Sequence, residues 1–561
     1  MSADSVQNTI ASAIMKALEI AKKTDLLAVE IPTQITLERP KNRDHGDYAS
    51  SIALILAKQA KLQPTHIAQV IIDCLSKNDL LTPFGIGKVE IAGPGFINIT
   101  LEGATHAAII PKIISLGKKY GNGDSLAGKK INLEFVSANP TGPLHLGHTR
   151  WAAVGDSLGR ILSAAGAEVS REFYINDRGN QMDLFGASIR AAALKEPRPD
   201  AGYHGDYIED LAKQILQENP EFTLLPEVQS ISAFRDAGYK LQLAQQSQVL
   251  DNFGTHFDTW FSEKSLYENN FFNHSLDKLK AQGHVYELDG ATWLRTTDFG
   301  DDKDRVMIKS DGSFAYFASD SAYYVSKRER GFNLCIYMLG ADHHGYVGRI
   351  KAIAACAGDN KDKDVEILIG QMVKIIEAGE EIKLSKRAGT IITLEELVEK
   401  VGKDAARYTL IHYPTNTPMV LDVDLLRRNT NDNPVYYVQY AHARICAVLR
   451  NVKEYKINFG LDHFNSNLLT HERERELIGS LAEFPRVVAS AAVMREPHRV
   501  ARFIEDVAGL YHRFYNDCRV LPLGDEKPSE LNSARATLCL ATAQVINNGL
   551  DLLGVSAPER M

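Results

Sequence analysis

Two histidines that follow a turn rich in proline and glycine are the side chains of this chain best suited to chemistry. His145 and His148 enclose a leucine and Gly147, and they come after residues 131–136, an apolar run typical of a buried parallel strand. The apolar spacing beyond them predicts a helix, and residues 168–175 predict the next strand. Both histidines would then lie in the first turn of the helix in a βαβ unit, where backbone N–H groups and the helix dipole favour an anion. We therefore expect a site for a nucleotide phosphate.

Two other interpretations of these histidines remain open at this point. They are spaced like half of a metal site, although no further ligands have a suitable spacing in the sequence. They are also compatible with ordinary structural histidines. The order of strand, Pro-Gly turn, histidine pair and helix favours the nucleotide site, in which Gly147 leaves the backbone open to a flat ring or a ribose.

A basic segment well downstream is the second candidate for chemistry. Lys383, Lys386 and Arg387 lie within five residues, after a predicted strand at 371–376 and a turn, and a glycine soon follows. A capping-box pattern at 393–396 predicts that a helix begins just beyond. A solvated basic turn is the ordinary interpretation of such a segment. A mobile cationic loop that binds phosphates is the interpretation that fits the histidines.

The elements that must position these residues divide the chain into four regions. At 561 residues the chain should hold several domains. We expect an α/β fold with a mixed α+β domain at 1–115, a domain of parallel strands and crossover helices at 116–375, the basic loop with two short helices at 376–430, and an all-α helix bundle at 431–561. Residues 181–290 are polar and helix-rich without strand-like apolar runs, which predicts an insertion into the second domain.

Composition describes an ordinary soluble chain. Hydrophobic residues make up 44% and charged residues 24%. No apolar run reaches membrane-spanning length, and the N-terminus has no signal pattern. We therefore expect a cytoplasmic protein without membrane contact. The six cysteines are scattered, which favours reduced thiols and no zinc. The net charge of −8 does not indicate RNA binding, although the chain from residue 431 onward contributes only −1 of it.

The two chemical segments together resemble the two signatures of class I aminoacyl-tRNA synthetases. His145-Leu146-Gly147-His148 is similar to the first and Lys383-Leu384-Ser385-Lys386 to the second, each with leucine in place of the commoner isoleucine or methionine. Residues 134–143, 174–177, 340–345 and 431–442 are similar to arginyl-tRNA synthetases of the bacterial type, and 46–48 and 93–98 resemble that family's additional N-terminal domain. The resemblance covers nearly the whole chain.

This resemblance implies a Rossmann-like catalytic domain that activates L-arginine with ATP and transfers it to the 3′ end of tRNA(Arg). It implies that adenylate formation depends on bound tRNA, that Mg²⁺ comes with ATP, and that the enzyme is a monomer without zinc. His145, His148, Lys383 and Lys386 are the catalytic residues that it implies. The ATP-binding residues that it implies are Pro143, His145, Gly147, His148, Asp342, His343, Lys383, Ser385 and Lys386.

The resemblance also implies a pocket for arginine. A guanidinium is best held by a carboxylate that pairs with it through two hydrogen bonds. Tyr316 and Asp320 are four residues apart, so they share one face of a predicted helix, and they look like the pair that holds the guanidinium. An ordinary surface carboxylate is the alternative for Asp320. The full set implied for arginine is Glu134, Ser137, Asn139, Tyr316, Asp320 and His344.

Contacts with tRNA are implied at both ends of the chain. The N-terminal domain would contact the tRNA D-loop and elbow, residues 376–430 the stem, and the bundle the anticodon. Aromatic and basic side chains in the first bundle helix suit a single-stranded loop, although half-buried bundle core is the alternative. The candidate residues are Tyr48, Asn98, Tyr436, Tyr440 and Arg444.

Three rival functions remain. A different class I synthetase is the nearest, but a cysteinyl enzyme would need zinc ligands. A small nucleotidylyltransferase would not need about 130 helical residues after position 431. A tRNA-binding paralogue without activity would not need both histidines and both lysines of the two signatures.

Overall fold

The N-terminal domain is a small helical layer packed on a three-stranded antiparallel sheet. The computed structural model describes residues 6–38, 40, 46–81, 85–101, 107–268, 271–382 and 392–561. The first helix places a stripe of apolar side chains, including Ile10, Ile14 and Leu18, in a core of its own. The sheet order is β1-β3-β2. The elements are α1 (Val6–Lys23), β1 (Tyr48–Ser50), α2 (Ile52–Ala60), α3 (Pro64–Lys77), β2 (Ile86–Ala92) and β3 (Phe96–Leu101).

Five parallel strands form the central sheet of the catalytic domain. Their order is β11-β10-β4-β5-β6, so the strand before the histidines lies in the middle of the sheet. Ile131 and Leu133 of this strand are completely buried, as its apolar run predicts. The sheet and the helix that follows the histidines consist of β4 (Lys130–Glu134), α5 (Leu146–Ala164), β5 (Glu168–Ile175), β6 (Thr259–Ser262), β10 (Leu334–Gly340) and β11 (Val365–Gly370), and α4 (Ile109–Leu116) precedes them.

The region after β5 departs from the prediction that residues 181–290 contain no strand. Thr259–Ser262 lies inside that range and pairs in parallel with β5, with Glu172 opposite Thr259. This strand is short, half-buried and at the sheet edge, so it lacks the apolar run that marks a central strand. Three helices with a core of their own precede it. They are α6 (Asn180–Leu194), α7 (Asp206–Glu218) and α8 (Glu227–Phe253).

A second small sheet and several helices complete the catalytic half. The sheet is antiparallel with order β7-β8-β9, and its first strand also falls within the predicted insertion. The helix bearing Tyr316 and Asp320 packs beside it. The elements are α9 (Lys264–Glu268), α10 (Phe271–Ala281), β7 (Val285–Leu288), β8 (Ala291–Leu294), β9 (Arg305–Ile308), α11 (Tyr316–Glu329) and α12 (Tyr346–Cys356).

The segment around the basic loop forms a third small sheet followed by helices. Its order is β13-β12-β14, and the β12–β14 pair is parallel. Thr393 and Glu396 form the predicted capping box, so a helix begins at Leu394. The elements are β12 (Val373–Glu377), β13 (Glu380–Glu381), α13 (Leu394–Val401), α14 (Lys403–His412), β14 (Met419–Asp422) and α15 (Val423–Leu426).

The C-terminal region is a helix bundle whose core is continuous with that of the catalytic domain. Leu133 of the central sheet and Ile546 of the last helix belong to one cluster of buried side chains. The stretch Glu472–Met494 is long and apolar enough to span a membrane by composition alone, but it consists of two helices and 56% of its most apolar window is buried. The helices are α16 (Pro434–Glu454), α17 (Glu472–Ala482), α18 (Phe484–Met494), α19 (His498–Asp517) and α20 (Glu530–Leu552).

Candidate active site and tRNA-binding surface

The two histidines cap the N-terminus of α5 reciprocally. His145 is the N-cap residue, and its Nδ1 accepts a hydrogen bond from the backbone N–H of Gly147 at 3.1 Å. His148 Nδ1 accepts from the backbone N–H of His145 at 3.3 Å, and the ring centroids are 4.0 Å apart. Because each Nδ1 accepts, the neutral rings carry their proton on Nε2. Both side chains are half-buried and Gly147 is exposed.

The turn before the histidines is held by the inserted helices. Tyr207 Oη donates to the carbonyl of Thr141 at 2.9 Å. Gln246 Nε2 donates to the carbonyls of Asn139 at 3.0 Å and Gly142 at 2.7 Å. Pro143 follows in this turn and is half-buried. The insertion therefore positions the backbone that leads into the histidine pair.

The chain that follows the basic segment lies directly against the first signature. Leu146 N–H donates to the carbonyl of Ile392 at 3.2 Å, and Leu394 N–H donates to the carbonyl of Leu144 at 2.9 Å. Ile382 N–H, on the other flank, donates to the carbonyl of Ile375 at 2.9 Å. The predicted phosphate-binding residues Lys383, Ser385 and Lys386 lie outside the described residues.

Glu134 and Glu263 lie at the carboxyl ends of β4 and β6, and Asp320 lies near both. Burial, followed by the nearby Glu263 and Glu134, raises the pKa of Asp320 to about 7, although Arg349 acts in the opposite direction. Burial and Asp177 likewise raise the pKa of Glu263. Burial therefore disfavours the charged form of both carboxylates, and a bound cation would stabilise it.

Glu134 is the member of this group with a cation of its own. Its Oε2 accepts from Nζ of Lys327 at 2.5 Å, and Lys327 is completely buried. Its Oε1 accepts from Ser137 Oγ at 3.2 Å, and this hydroxyl accepts from the backbone N–H of Tyr174 at 3.2 Å. Val136 and Ser137 have φ values of +68° and +42°. A β-branched residue rarely adopts this conformation, so the turn after β4 stores backbone strain of the kind found at functional sites.

The other predicted arginine and ATP residues are distributed more widely. Asn139 Nδ2 donates to Gln181 Oε1 at 2.6 Å. Tyr316 and Asp320 lie on one helix, as predicted, but Tyr316 is 72% exposed and Asp320 is half-buried. Three further predicted residues are exposed at the carboxyl end of β10. They are Asp342, His343 and His344.

Comparison with known proteins decides the family. The model of the arginyl tRNA synthetase N terminal domain matches residues 4–101, and the model of the class I (R) tRNA synthetase catalytic domain matches residues 109–446. The DALR anticodon binding domain matches residues 438–561. The catalytic-domain model alone spans more than half of the chain. The chain belongs to the arginyl-tRNA synthetases. It is an arginine–tRNA ligase with a class I catalytic domain that uses ATP.

Solved structures agree with this family. A protein from Campylobacter jejuni assigned as an arginyl-tRNA synthetase is 31% identical, with a TM-score of 0.73 over 82% of this chain and 100% of that one. Arginyl-tRNA synthetase from Thermus thermophilus is 21% identical, with a TM-score of 0.75 over 99% and 100%. The Plasmodium falciparum enzyme is 16% identical, with a TM-score of 0.72 over 100% of both chains. The latter two show a shared fold.

The first helix of the anticodon-binding domain carries a half-buried row of aromatic and basic side chains. The rings of Tyr436 and Tyr440 are stacked, with centroids 5.7 Å apart and planes 8° apart. Arg444 donates through Nη2 to Tyr440 Oη at 2.8 Å and also lies over the ring of Tyr515, 5.3 Å from its centroid. Burial and Arg444 lower the pKa of His512 to about 4, so that ring is neutral at pH 7. Such a row has the chemistry for stacking on unpaired bases.

Tyr48, in the N-terminal domain of this synthetase, is not placed where the sequence predicted it. Tyr48 is buried, and its hydroxyl donates to Glu483 Oε1 of the helical domain at 3.0 Å. Its side chain is therefore a contact between domains, and the prediction that it binds tRNA is wrong. Tyr48 also lies in strand β1, where it pairs with Ile99 of β3. Asn98 lies in β3 and is half-buried.

Sequence reasoning missed two charged residues that lie beside the predicted arginine-binding residues. Glu263 directly follows β6, at the carboxyl end of a strand where ligands bind, but that strand was not predicted. Lys327 lies seven residues after Asp320 and four after Tyr323, on the same buried face of α11. A lysine on an otherwise buried helix face was the available signal, because buried lysines are rare without a partner.

Proposed function

We propose that the acidic group at the carboxyl ends of β4 and β6 is the pocket that holds arginine. Asp320 and Glu263 would accept hydrogen bonds from the guanidinium, which presents five donors in a planar fork. Glu134, Ser137 and Asn139 would hold the amino-acid head. The observation that carries this proposal is that Glu263 and Glu134 both lie near Asp320, whose pKa is raised by its burial and by these two carboxylates.

We propose that His145 and His148 hold the phosphate and ribose oxygens of ATP. Their reciprocal capping supports this role, because it orients both rings at a helix N-terminus that already favours anions. Arginine's carboxylate would attack the α-phosphate and release pyrophosphate, and the 3′-terminal ribose of tRNA would then displace AMP from the adenylate. Neither step needs a protein nucleophile, so positioning and charge stabilisation supply the catalysis.

We propose that Lys383 and Lys386 bind the departing pyrophosphate and that Ser385 contacts ATP. The position of Ile392 against Leu146 supports this, because the chain leaving the basic segment is already beside the histidine helix. Magnesium would arrive on the ATP phosphates as part of the substrate. Pro143, Gly147, Asp342 and His343 complete the proposed ATP site.

We propose that Tyr316 holds the guanidinium together with Asp320 and that His344 lines the arginine pocket. We propose that Tyr436, Tyr440 and Arg444 contact the anticodon loop. Adenylate formation would depend on bound tRNA(Arg), in a monomeric cytoplasmic enzyme. The four proposed parts are the additional tRNA-contacting domain at 1–115, the catalytic domain at 116–375, the loop and stem-contact region at 376–430, and the anticodon domain at 431–561. Asn98 remains a proposed tRNA contact.

The decisive experiment is ATP–pyrophosphate exchange with each amino acid, with and without tRNA. Exchange should be specific for arginine and should rise steeply when tRNA(Arg) is added. Exchange with another amino acid would contradict the pocket. Strong exchange with arginine and ATP alone would contradict only the dependence on tRNA.

A further inference from the structure

Arg407 on α14 is a completely buried guanidinium that is bonded on every side. Its Nη2 donates to Asp156 Oδ2 at 2.6 Å and to the carbonyl of Leu553 at 3.1 Å. Its Nη1 donates to the carbonyls of Phe253 at 3.1 Å and Gly254 at 3.2 Å, and its Nε donates to Leu553 at 3.3 Å. All three nitrogens are therefore engaged, as a buried guanidinium requires.

These partners belong to three different parts of the enzyme. Asp156 lies in the histidine helix α5, Phe253 ends the inserted helices, and Leu553 follows the last helix of the anticodon domain. Thr255 Oγ1 accepts from Arg407 at 3.2 Å and donates to the carbonyl of Ala152, also in α5, at 2.9 Å. The guanidinium thus joins the C-terminal end of the chain to two successive turns of α5.

The histidine helix has a second buried anchor close to its start. Arg150 donates to the carbonyls of Gln371 at 2.9 Å, Thr417 at 3.1 Å and Pro414 at 2.8 Å. These carbonyls flank β12, β14 and the end of α14. Helix α5 is therefore fixed on one side to the sheet that leads into the basic segment, and through Arg407 to the anticodon domain.

The guanidinium of Arg407 packs tightly against the backbone that follows its partner Leu553. Gly554, directly after Leu553, has a φ of +66°, and a Cβ atom there would overlap the guanidinium. A movement of the last helix relative to α5 must therefore either carry Arg407 with it or leave the Nε of a buried guanidinium without its acceptor.

We propose that Arg407 is a positioning residue that fixes His145 and His148 relative to the anticodon-binding domain. A displaced anticodon domain would move α5, and a small misplacement of groups at the α-phosphate slows the reaction strongly. Lysine at this position would keep the charge but lacks the fork that reaches three segments at once. The inference rests on the proposed role of the two histidines.

The test is kcat and KM for tRNA charging in Arg407→Lys. Per folded enzyme, kcat should fall roughly tenfold to a hundredfold, while KM for arginine and for tRNA stays near the wild-type value. Thr537→Val is the control, because Thr537 is buried in the same last helix and accepts from Gly460 N–H at 2.9 Å. It should lower the melting temperature and leave kcat per folded enzyme unchanged.

Normal kcat in Arg407→Lys would overturn the inference, as would an equal loss of kcat per folded enzyme in the control. If Arg407→Lys does not fold, Asp156→Asn applies the same criterion, because it keeps the shape of the pair. His145→Ala is measured in parallel. Normal kcat in that variant would contradict the proposed function, whereas a loss there beside normal Arg407→Lys would contradict this inference alone.

Discussion

The enzyme buries carboxylates in two places, and it treats them in opposite ways. In the interior around Arg407, Asp156 accepts a hydrogen bond from this arginine at 2.6 Å, and backbone carbonyls accept hydrogen bonds from the rest of the guanidinium. At the proposed arginine pocket, burial and neighbouring carboxylates raise the pKa values of Asp320 and Glu263. The first place contains a guanidinium supplied by the chain. At the second, the proposed partner is the guanidinium of the substrate.

The difference explains why one group is structural and the other suits a substrate. An ion pair whose donors and acceptors are all hydrogen-bonded within the protein has few left to bind a ligand. Carboxylates held close together without sufficient cations are unfavourable in the empty protein, and a guanidinium that enters reduces their repulsion. The same pairing chemistry therefore joins parts of the protein at Asp156 and suits the proposed recognition of arginine at Asp320.

Removing the recognition carboxylate should have the largest effect. Asp320→Ala should weaken arginine binding by about 3–5 kcal/mol, because part of a buried guanidinium would lose its partner. KM for arginine should rise by more than about a hundredfold, with KM for ATP almost unchanged. Glu329→Gln is the control, since Glu329 is at the far end of the same helix and pairs with His274. An unchanged KM for arginine in Asp320→Ala would place the pocket elsewhere.

Removing Lys327, the cation paired with Glu134, tests how this carboxylate is held. Lys327→Met should lower the free energy of unfolding by about 3 kcal/mol, because Glu134 is left as an unpaired buried charge. Lys327→Met combined with Glu134→Gln should recover most of that stability. Urea unfolding measures both variants. Equal losses in the single and double variants would mean that the ion pair is not the cause.

The repulsion in the empty pocket should be visible as a pH-dependent stability. The folded-state pKa of Asp320, about 7, is above its ordinary value of 3.8, so its contribution to stability is fully present below pH 4 and lost as the pH rises through 7. Asp320→Asn should therefore stabilise the arginine-free enzyme at pH 8 by on the order of 2 kcal/mol, and less at pH 6. Thermal unfolding at the two pH values tests this, and an equal gain at both would contradict the assigned pKa.

The smallest effect is expected at the stacked tyrosines Tyr436 and Tyr440. Tyr440→Phe removes the acceptor of the Arg444 hydrogen bond but keeps the ring that stacks on Tyr436. The affinity for tRNA should fall by about 1 kcal/mol or less, whereas Tyr440→Ala should lose about 1–3 kcal/mol with the stacking surface. Filter binding of tRNA(Arg) compares them. Equal losses would show that the ring does not contribute.

Short-range features of the site were predictable from the sequence. The histidine helix, the strand Glu168–Ile175 and the capping box at Thr393 follow from apolar spacing and from residues within four positions of one another. The family also followed from the sequence, because its signatures are continuous segments. What could not be predicted were the edge strand Thr259–Ser262 and the burial of Tyr48 against Glu483, which depend on pairing partners far away in the chain.

By itself, the sequence determined where the histidines begin a helix, which regions are helical or mixed, and which reaction the chain catalyses. Local spacing and capping chemistry are sufficient for these, since each involves neighbours within a few residues. Only the tertiary structure decided which charges are neutralised. Asp156 and Asp320 are both aspartates on helices, but one meets Arg407 across 251 positions of sequence and the other meets further carboxylates. Electrostatic free energy depends on distance in space and on burial, and neither can be read from position in the chain.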